Sequence, residues 1–304
     1  MLVAALFWCC VLLVELTVSL AITAVIAAMV QWSLAQCLLA VVAILALLKC
    51  SLISISFLLA MVNAGLAGRL PHPGFALRAL LTEWPRFTLA ELRMCVEPLW
   101  PPRGRAPQHL SPAPARPVLL IHGIACNRAV WAPMIARLRG AGFGPIETVN
   151  LEPMFTDIDA HCGTIERALR ELQARSGRRP CIVAHSMGGL VTLAALRSLG
   201  SSLVDRVVTI ATPYHGTAMA NCFHRPAFRQ MRLGSDWLRA LRTGSPAPEI
   251  ALTCIYSLED NLVVPASSAA LPAARCIGLR GIGHVGLLQS RQVADQVLAA
   301  LQGA

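Results

Sequence analysis

The first sixty residues of the chain are almost free of charge. Between positions 2 and 62 only two side chains carry a formal charge, whereas 14% of the whole chain is charged. Two apolar runs, 2–30 and 34–62, fill this region and are separated by three residues. At ~1.5 Å of rise per helical residue, each run is long enough to cross a hydrocarbon core of ~30 Å. We therefore predict a transmembrane helical hairpin over residues 1–64.

The two charged residues of the hairpin are Glu15 and Lys49, each seventeen positions from Trp32 at the predicted turn. Antiparallel helices would bring these side chains opposite each other. A lone charge inside a bilayer costs at least ~2.5 kcal/mol, so we predict an ion pair rather than a proton or ion path, which would need more polar residues. A cleaved signal peptide is the alternative for the first run, but no Lys or Arg precedes it and it is too long for a signal core.

Charge also predicts the orientation and the partners of the chain. Arg69, Arg78 and Arg86 follow the second run closely, and the turn has no basic residue. Basic residues favour the cytoplasmic side, so we expect both ends of the hairpin to face the cytoplasm. The eleven cysteines lack framework spacing, which is typical of free thiols in a reducing compartment. The chain has a net charge of +10 but no nucleic-acid-binding motif. We therefore interpret the charge as a positive protein surface that lies against anionic lipid headgroups.

Residues 65–116 connect the hairpin to the rest of the chain. Within them, Pro71–Val96 spaces apolar residues at about the helical period, which predicts an amphipathic helix on the membrane surface or, equally, on the following domain. Pro98–Pro117 is dense in proline and is typical of an extended linker.

Residues 117–304 alternate short apolar runs with longer amphipathic ones, which predicts an α/β fold with a mostly parallel sheet flanked by helices. The predicted strands are Val118–Ile121, Ile146–Asn150, Cys181–Ala184, Val204–Ile210, Ala251–Tyr256 and Ala274–Leu279. The predicted helices are Ala129–Arg139, Ile158–Arg175, Met187–Leu199 and Ser290–Leu301.

The third predicted strand runs directly into Ser186. This serine lies between a strand and an apolar helix, with small residues at Ala184 and Gly188. Such a strand–turn–helix junction is typical of a nucleophile elbow, whose strained turn leaves no room for larger neighbours. We therefore predict that Ser186 is a nucleophile, although the usual elbow has glycine where this chain has Ala184.

An acyl-transfer site also needs two donors for a developing oxyanion. His122-Gly123-Ile124 follows the first strand, where a tight turn aims backbone N–H groups into the site. The predicted donors are the amides of Ile124 and of Met187, the residue after the serine. His122 then shapes the turn rather than acting as the base.

The base and its acid come later in the chain. His284 lies in the glycine-rich loop 281–286, which gives the backbone freedom to present an imidazole, and we predict that it is the general base. Asp260 follows the fifth strand and is the predicted acid that orients the base, with Glu259 as its competitor. The chain order is serine, aspartate, histidine.

These motifs resemble those of bacterial lipases and esterases of the α/β-hydrolase fold, over residues 117–301. The resemblance is carried by the elbow alanine, the His-Ser-Met-Gly core, the His-Gly-Ile turn and Gly-His-Val-Gly-Leu-Leu at 283–288. It implies an α/β-hydrolase fold that needs no cofactor. It also implies site residues, namely Ser186 as nucleophile, Asp260 as acid, His284 as base, and the amides of Ile124 and Met187 as oxyanion donors.

The segment 213–248 departs from the smallest lipases of this kind, which have no lid. Its apolar residues predict either a lid over the serine or an ordinary helix covering the sheet. His215, Cys222 and His224 in this segment match no metal-site spacing, so no metal is predicted.

The sequence as a whole predicts a membrane-anchored serine hydrolase that cleaves lipid-like carboxylic esters through an acyl-enzyme. An acyltransferase or a thioesterase with the same triad remains open, and so does a non-catalytic membrane scaffold of the same fold.

Overall fold

The structure is a computed structural model that describes residues 2–66, 70–99, 116–243 and 250–303. Arg69, residues 100–115 of the predicted linker and residues 244–248 of the predicted lid lie outside the described residues.

Within the described residues, three α-helices precede the sheet. They are α1 (Leu2–Val30), α2 (Leu34–Leu66) and α3 (Pro73–Cys95), and each packs on the other two. Both α1 and α2 are long and apolar enough to cross a membrane, and only 11% of the most apolar stretch of each is buried. Packing inside the protein therefore does not account for their apolar surfaces.

A buried cluster of charges joins the three helices. Lys49 Nζ on α2 lies 2.5 Å from Glu15 Oε2 on α1, which confirms the predicted ion pair. The same nitrogen lies 2.5 Å from an oxygen of Glu91 on α3, a partner that the sequence did not predict. The Glu91 side chain is fully buried, so Lys49 connects all three helices at one point.

Six parallel strands form one sheet in the order β2-β1-β3-β4-β5-β6. The strands are β1 (Val118–Ile121), β2 (Ile146–Val149), β3 (Cys181–His185), β4 (Arg206–Ile210), β5 (Ala251–Ser257) and β6 (Arg275–Leu279). The two strands next to the serine, β1 and β3, are buried along their whole length, which explains their uninterrupted apolar sequence. The predicted parallel sheet is confirmed, with strand boundaries within two residues of those predicted.

Helices cover both faces of this sheet. They are α4 (Ala132–Gly140), α5 (Cys162–Ser176), α6 (Met187–Leu199), α7 (Pro226–Gln230), α8 (Asp236–Thr243) and α9 (Arg291–Gln302). One core lies between the sheet and α5, α6 and α8, and a second lies between the sheet and α4 and α9. Because every strand runs in the same direction, the loops after the strands meet at one edge of the sheet.

The helix α3 packs on the sheet domain with one face. Met94 belongs to the second core, and Asn127 Nδ2 donates a hydrogen bond to the Met94 carbonyl at 2.9 Å. The opposite face exposes Leu77, Leu81 and Trp84. The sequence predicted that this helix lies either on the membrane surface or on the following domain. In the structure it packs on the domain, and the apolar face formed by Leu77, Leu81 and Trp84 is exposed.

Candidate active site

Ser186 lies in the turn between β3 and α6. Its backbone has φ 54° and ψ −127°, a conformation that residues other than glycine rarely adopt. The Ser186 amide donates to the carbonyl of Ile210 at 2.8 Å, which ties the turn to β4. A Cβ added at Gly188 would lie 2.5 Å from the carbonyl oxygens of Ile121 and His122, so only glycine fits there.

The turn after β1 lies against the serine. A Cβ at Gly123 would come within 2.8 Å of the Ser186 Cβ, so the residue before Ile124 lies directly against the serine side chain. Met187 is the first residue of α6, where backbone N–H groups have no partner within the helix. The two amides predicted as oxyanion donors thus belong to the two segments that meet at Ser186.

His122 is a buried part of this turn. Its Nε2 accepts a hydrogen bond from the Leu151 amide at 3.2 Å, so Nδ1 carries the proton and donates to the Gly123 carbonyl at 2.8 Å. Burial lowers the pKa of His122 to about 4. The imidazole is neutral and both of its nitrogens are hydrogen-bonded to the backbone. His122 therefore lies where it can shape the turn, as the sequence predicted.

His284 and Asp260 form a buried pair. His284 Nδ1 lies 2.9 Å and 3.0 Å from the two carboxylate oxygens of Asp260, and because a carboxylate only accepts, Nδ1 carries the proton. The amides of Leu262 and Val263 each donate to Asp260 Oδ1 at 2.8 Å and fix its orientation. Burial lowers the pKa of His284, but the charge and hydrogen bond of Asp260, helped by the charge of Glu83, outweigh burial and raise it.

Glu259 faces a different partner. Its carboxylate accepts a hydrogen bond from the Gly281 amide at 2.7 Å and lies 3.8 Å from the Arg280 guanidinium. Asp260 is therefore the residue of this neighbouring pair that bonds to His284, while Glu259 connects the acid loop to the base loop.

His185, the residue before Ser186, contacts His284. Its ring lies 4.6 Å from the His284 ring, and its Nε2 donates to the His284 carbonyl at 3.3 Å. Burial lowers the pKa of His185 well below its usual value, so this ring is neutral. The loops that carry Ser186, Asp260 and His284 are thus assembled at one edge of the sheet.

Two residues that sequence reasoning missed also hold the His284 loop. Asn261 Oδ1 accepts a hydrogen bond from the His284 amide at 2.9 Å. Glu83 on α3 accepts from the amides of Val285 and Gly286, at 2.7 Å and 2.8 Å. The only sequence signal for Glu83 is a carboxylate on the buried face of α3, whose other members are mostly small or apolar.

The predicted lid segment divides into two parts. In α8, Leu238 and Leu241 are buried in the core of the domain, so this part covers the sheet. The preceding part contributes Phe228, whose ring stacks at 5.9 Å on Phe155 in the loop after β2. Phe155 in turn contacts Phe7 of α1 at 6.0 Å, so an aromatic cluster joins this segment to the first helix.

The order of elements and the position of the serine turn match a known fold. The family model of the alpha/beta hydrolase family matches residues 118–251, from β1 to the start of β5. The fold is that of an α/β hydrolase. The matched region begins at the first strand, and the three N-terminal helices α1, α2 and α3 precede it.

Solved lipase structures are similar to this α/β-hydrolase domain. Lipase B of Aspergillus fumigatus superimposes with a TM-score of 0.56 at 22% identity, over 62% of this chain and 52% of that one. The mature form of Bacillus licheniformis lipase BlEst2 gives a TM-score of 0.53 at 18% identity, over 66% of this chain and 95% of that one. This chain spans about half the length of the Aspergillus lipase, and at these identities the likeness shows the fold.

Proposed function

We propose that this protein is a membrane-anchored serine hydrolase that cleaves carboxylic esters. The observation that carries the proposal is the buried Asp260–His284 pair, at 2.9 Å, at the same edge of the sheet as a serine in a strained strand–turn–helix junction. In an α/β-hydrolase fold, this combination of nucleophile, base and acid is the one that acyl transfer requires.

The proposed reaction has two halves. Ser186 Oγ attacks the ester carbonyl while His284 Nε2 takes the hydroxyl proton, and Asp260 stabilises the resulting imidazolium. The amides of Ile124 and Met187 bind the oxyanion. The bond to the alkoxide then breaks, and His284 returns the proton to the leaving oxygen. Water attacks the acyl-enzyme in the same way, which releases the acid and restores Ser186.

Lipid-borne acyl esters are the substrates that the surroundings of the site favour. Two apolar helices and the exposed apolar face of α3 adjoin the domain, and the Phe7–Phe155–Phe228 cluster extends apolar surface from α1 to the loops beside the site. Burying apolar surface against an acyl chain contributes about 0.8 kcal/mol per methylene. A phospholipid or acylglycerol presented by the membrane therefore fits this setting better than a small soluble ester.

We expect the helices α1 and α2 to insert into a bacterial inner membrane with the hydrolase domain in the cytoplasm. Arg78 and Arg86 lie after the second span, and the turn at Gln31-Trp32-Ser33 has no basic residue. Every described cysteine is a free thiol, as a reducing compartment requires.

The catalytic proposal is tested by labelling the full chain with a fluorophosphonate, which forms a covalent bond to an activated serine. We expect the wild-type protein to label and Ser186→Ala neither to label nor to hydrolyse p-nitrophenyl esters, with a loss of at least about a thousandfold. Ser202→Ala, at an exposed serine beyond α6, is the matched control and should label like the wild type. Equal labelling of Ser186→Ala and wild type would refute the proposal.

The topology is tested with a membrane-impermeant maleimide on spheroplasts. The exposed thiols Cys222 and Cys276 report on the hydrolase domain, and a Ser33→Cys variant reports on the turn. We expect labelling at position 33 in intact spheroplasts, and labelling of Cys222 and Cys276 only after lysis. Labelling of the two domain cysteines before lysis would reverse the assigned orientation.

A further inference from the structure

Each of the three N-terminal helices holds one loop of the proposed active site. On α1, Trp8 Nε1 donates to the carbonyl of Ala125 at 2.7 Å, in the turn that supplies the Ile124 amide. On α2, Ser56 Oγ accepts from Asn261 Nδ2 at 2.8 Å, next to Asp260. The third contact, between α3 and the loop of His284, is the most extensive.

Glu83 makes this third contact through its carboxylate. The residue is 1% exposed, and its two oxygens each accept one backbone N–H, from Val285 and from Gly286. The loop fits closely around the acid, because a Cβ at Gly283 would lie 2.5 Å from the carboxyl group and one at Gly286 would lie 2.7 Å from it. The glycines on either side of His284 are therefore explained by the approach of Glu83.

A buried carboxylate is a costly way to fill this position. Burial raises the pKa of Glu83 to about 7, even though the two amide hydrogen bonds lower it. An apolar side chain would avoid that cost but would leave the two amides without a partner, each at a price of ~1–3 kcal/mol. A carboxylate at position 83 is therefore expected if the backbone of the His284 loop must follow one particular path, because the carboxylate binds the two amides that define this path.

We propose that Glu83 is a positioning residue of the active site, which holds His284 in its working place by binding the two backbone amides that follow it. The inference rests on the proposed function and adds a part of the machinery from outside the matched hydrolase region. Eight residues along the same helix, Glu91 binds Lys49. Because α3 also packs along α1 and α2, the loop of the base is held by the N-terminal helices, and these helices are more than an anchor.

The charge of Glu83 also acts on the base. The groups that face His284 are Asp260 from the acid loop, His185 from β3 and Glu83 from α3, while Arg86 of α3 lies against Gly286 in the same loop. His185 is neutral, whereas the negative charge of Asp260, and that of Glu83 at pH values above its own pKa of about 7, favour the imidazolium form. Removal of the Glu83 charge should therefore lower the pKa of His284, so that the neutral base persists to lower pH.

The test compares Glu83→Gln with Glu91→Gln in the full chain in detergent, with p-nitrophenyl butyrate as substrate. Both variants neutralise a buried acid on α3, but only position 83 touches the catalytic loop. Glutamine keeps one acceptor oxygen and turns an NH₂ group towards the other amide. We expect Glu83→Gln to lower kcat by up to about a hundredfold, as a misplacement of about 1 Å can, with KM nearly unchanged.

The pH profile separates positioning from folding. For Glu83→Gln, the acid limb of kcat/KM should move to lower pH, and for Glu91→Gln both kcat and the limb should stay at wild-type values. Glu83→Asp keeps the charge on a shorter side chain, so it should lower kcat without moving the limb, and it serves if the glutamine variant does not fold.

Wild-type kcat and an unmoved acid limb in Glu83→Gln would overturn the positioning role, and the fluorophosphonate labelling of Ser186 would still support the proposed function. A drop in kcat of the same size in Glu91→Gln would also overturn it, because the effect would then be one of helix stability. A wild-type protein with neither turnover nor labelling would overturn the proposed function and this inference together.

Discussion

Ser186 has a backbone conformation that its neighbours must enforce. A residue with φ 54° and ψ −127° carries strain of about 1–3 kcal/mol. The Ile210 carbonyl binds its amide on one side, and the turn at Gly123 packs against its Cβ on the other. The strain is thus held by contacts with β4 and with the turn after β1, which also keeps the proposed oxyanion donors next to the nucleophile.

Gly188→Ala tests how tightly this junction is built. The added Cβ would meet the carbonyl oxygens of Ile121 and His122 at 2.5 Å, and these are backbone atoms that cannot rotate away. We expect the turn after β1 to shift, with a loss of about 1–3 kcal/mol of stability and at least tenfold in kcat. Thermal unfolding and ester hydrolysis measure the two effects.

Gly163→Ala is the matched control, since a Cβ at this position of α5 meets nothing within 4 Å. It should leave kcat unchanged and stability equal or slightly higher, because alanine favours a helix over glycine. An active, stable Gly188→Ala protein would mean that the elbow is looser than the structure indicates.

At the residue scale, the sequence predicts features that depend on residues close together in the chain. Ser186, Ile124 and His284 could be chosen as candidate site residues because each lies in a short motif whose glycines and strand context are contiguous in the chain. Asp260 had Glu259 as a competitor, since two adjacent acids after a strand differ only in the direction of their side chains. Glu83 could not be predicted, because its partner Val285 is 202 positions away and no local pattern connects them.

The hairpin depends on the cluster around Lys49. Its charge lies between Glu15 and Glu91, and all three side chains are largely or wholly buried. Taking away one member of a buried ion pair costs about 3–5 kcal/mol, because the remaining charge is left without compensation.

We therefore expect Lys49→Met to lower the stability of the full chain by about 3–5 kcal/mol, measured by thermal unfolding in detergent. The triple variant Glu15→Gln, Lys49→Met, Glu91→Gln has no charge at the site and should recover part of the loss. A Lys49→Met protein as stable as the wild type would show that the cluster is not structural.

Periodicity predicted most elements of the α/β-hydrolase domain. Buried parallel strands such as β1 and β3 are apolar without interruption, and α6 begins directly after the serine. The first and last residues of these elements can therefore be predicted from neighbouring residues alone. The docking of α3 was left open. Its amphipathic pattern shows that one face is apolar, but the surface that covers this face is set by contacts such as Asn127 with Met94, far apart in the chain.

At the scale of the whole molecule, the N-terminal helices and the α/β-hydrolase domain meet at the proposed active site. Trp8, Ser56 and Glu83 each contact a different loop of the proposed site. If α1 and α2 insert as proposed, the same helices bring the site to the membrane and hold its loops. This arrangement favours an ester that reaches Ser186 from the lipid phase.

The central claim is that Ser186 forms a covalent acyl-enzyme. The most direct measurement is mass spectrometry of the full chain after brief reaction with p-nitrophenyl octanoate and an acid quench. We predict an octanoyl group on the peptide that contains Ser186, in an amount equal to the burst of p-nitrophenolate, and none in Ser186→Ala. Ester turnover that continues in Ser186→Ala, or an octanoyl group on another residue of an active protein, would contradict the account.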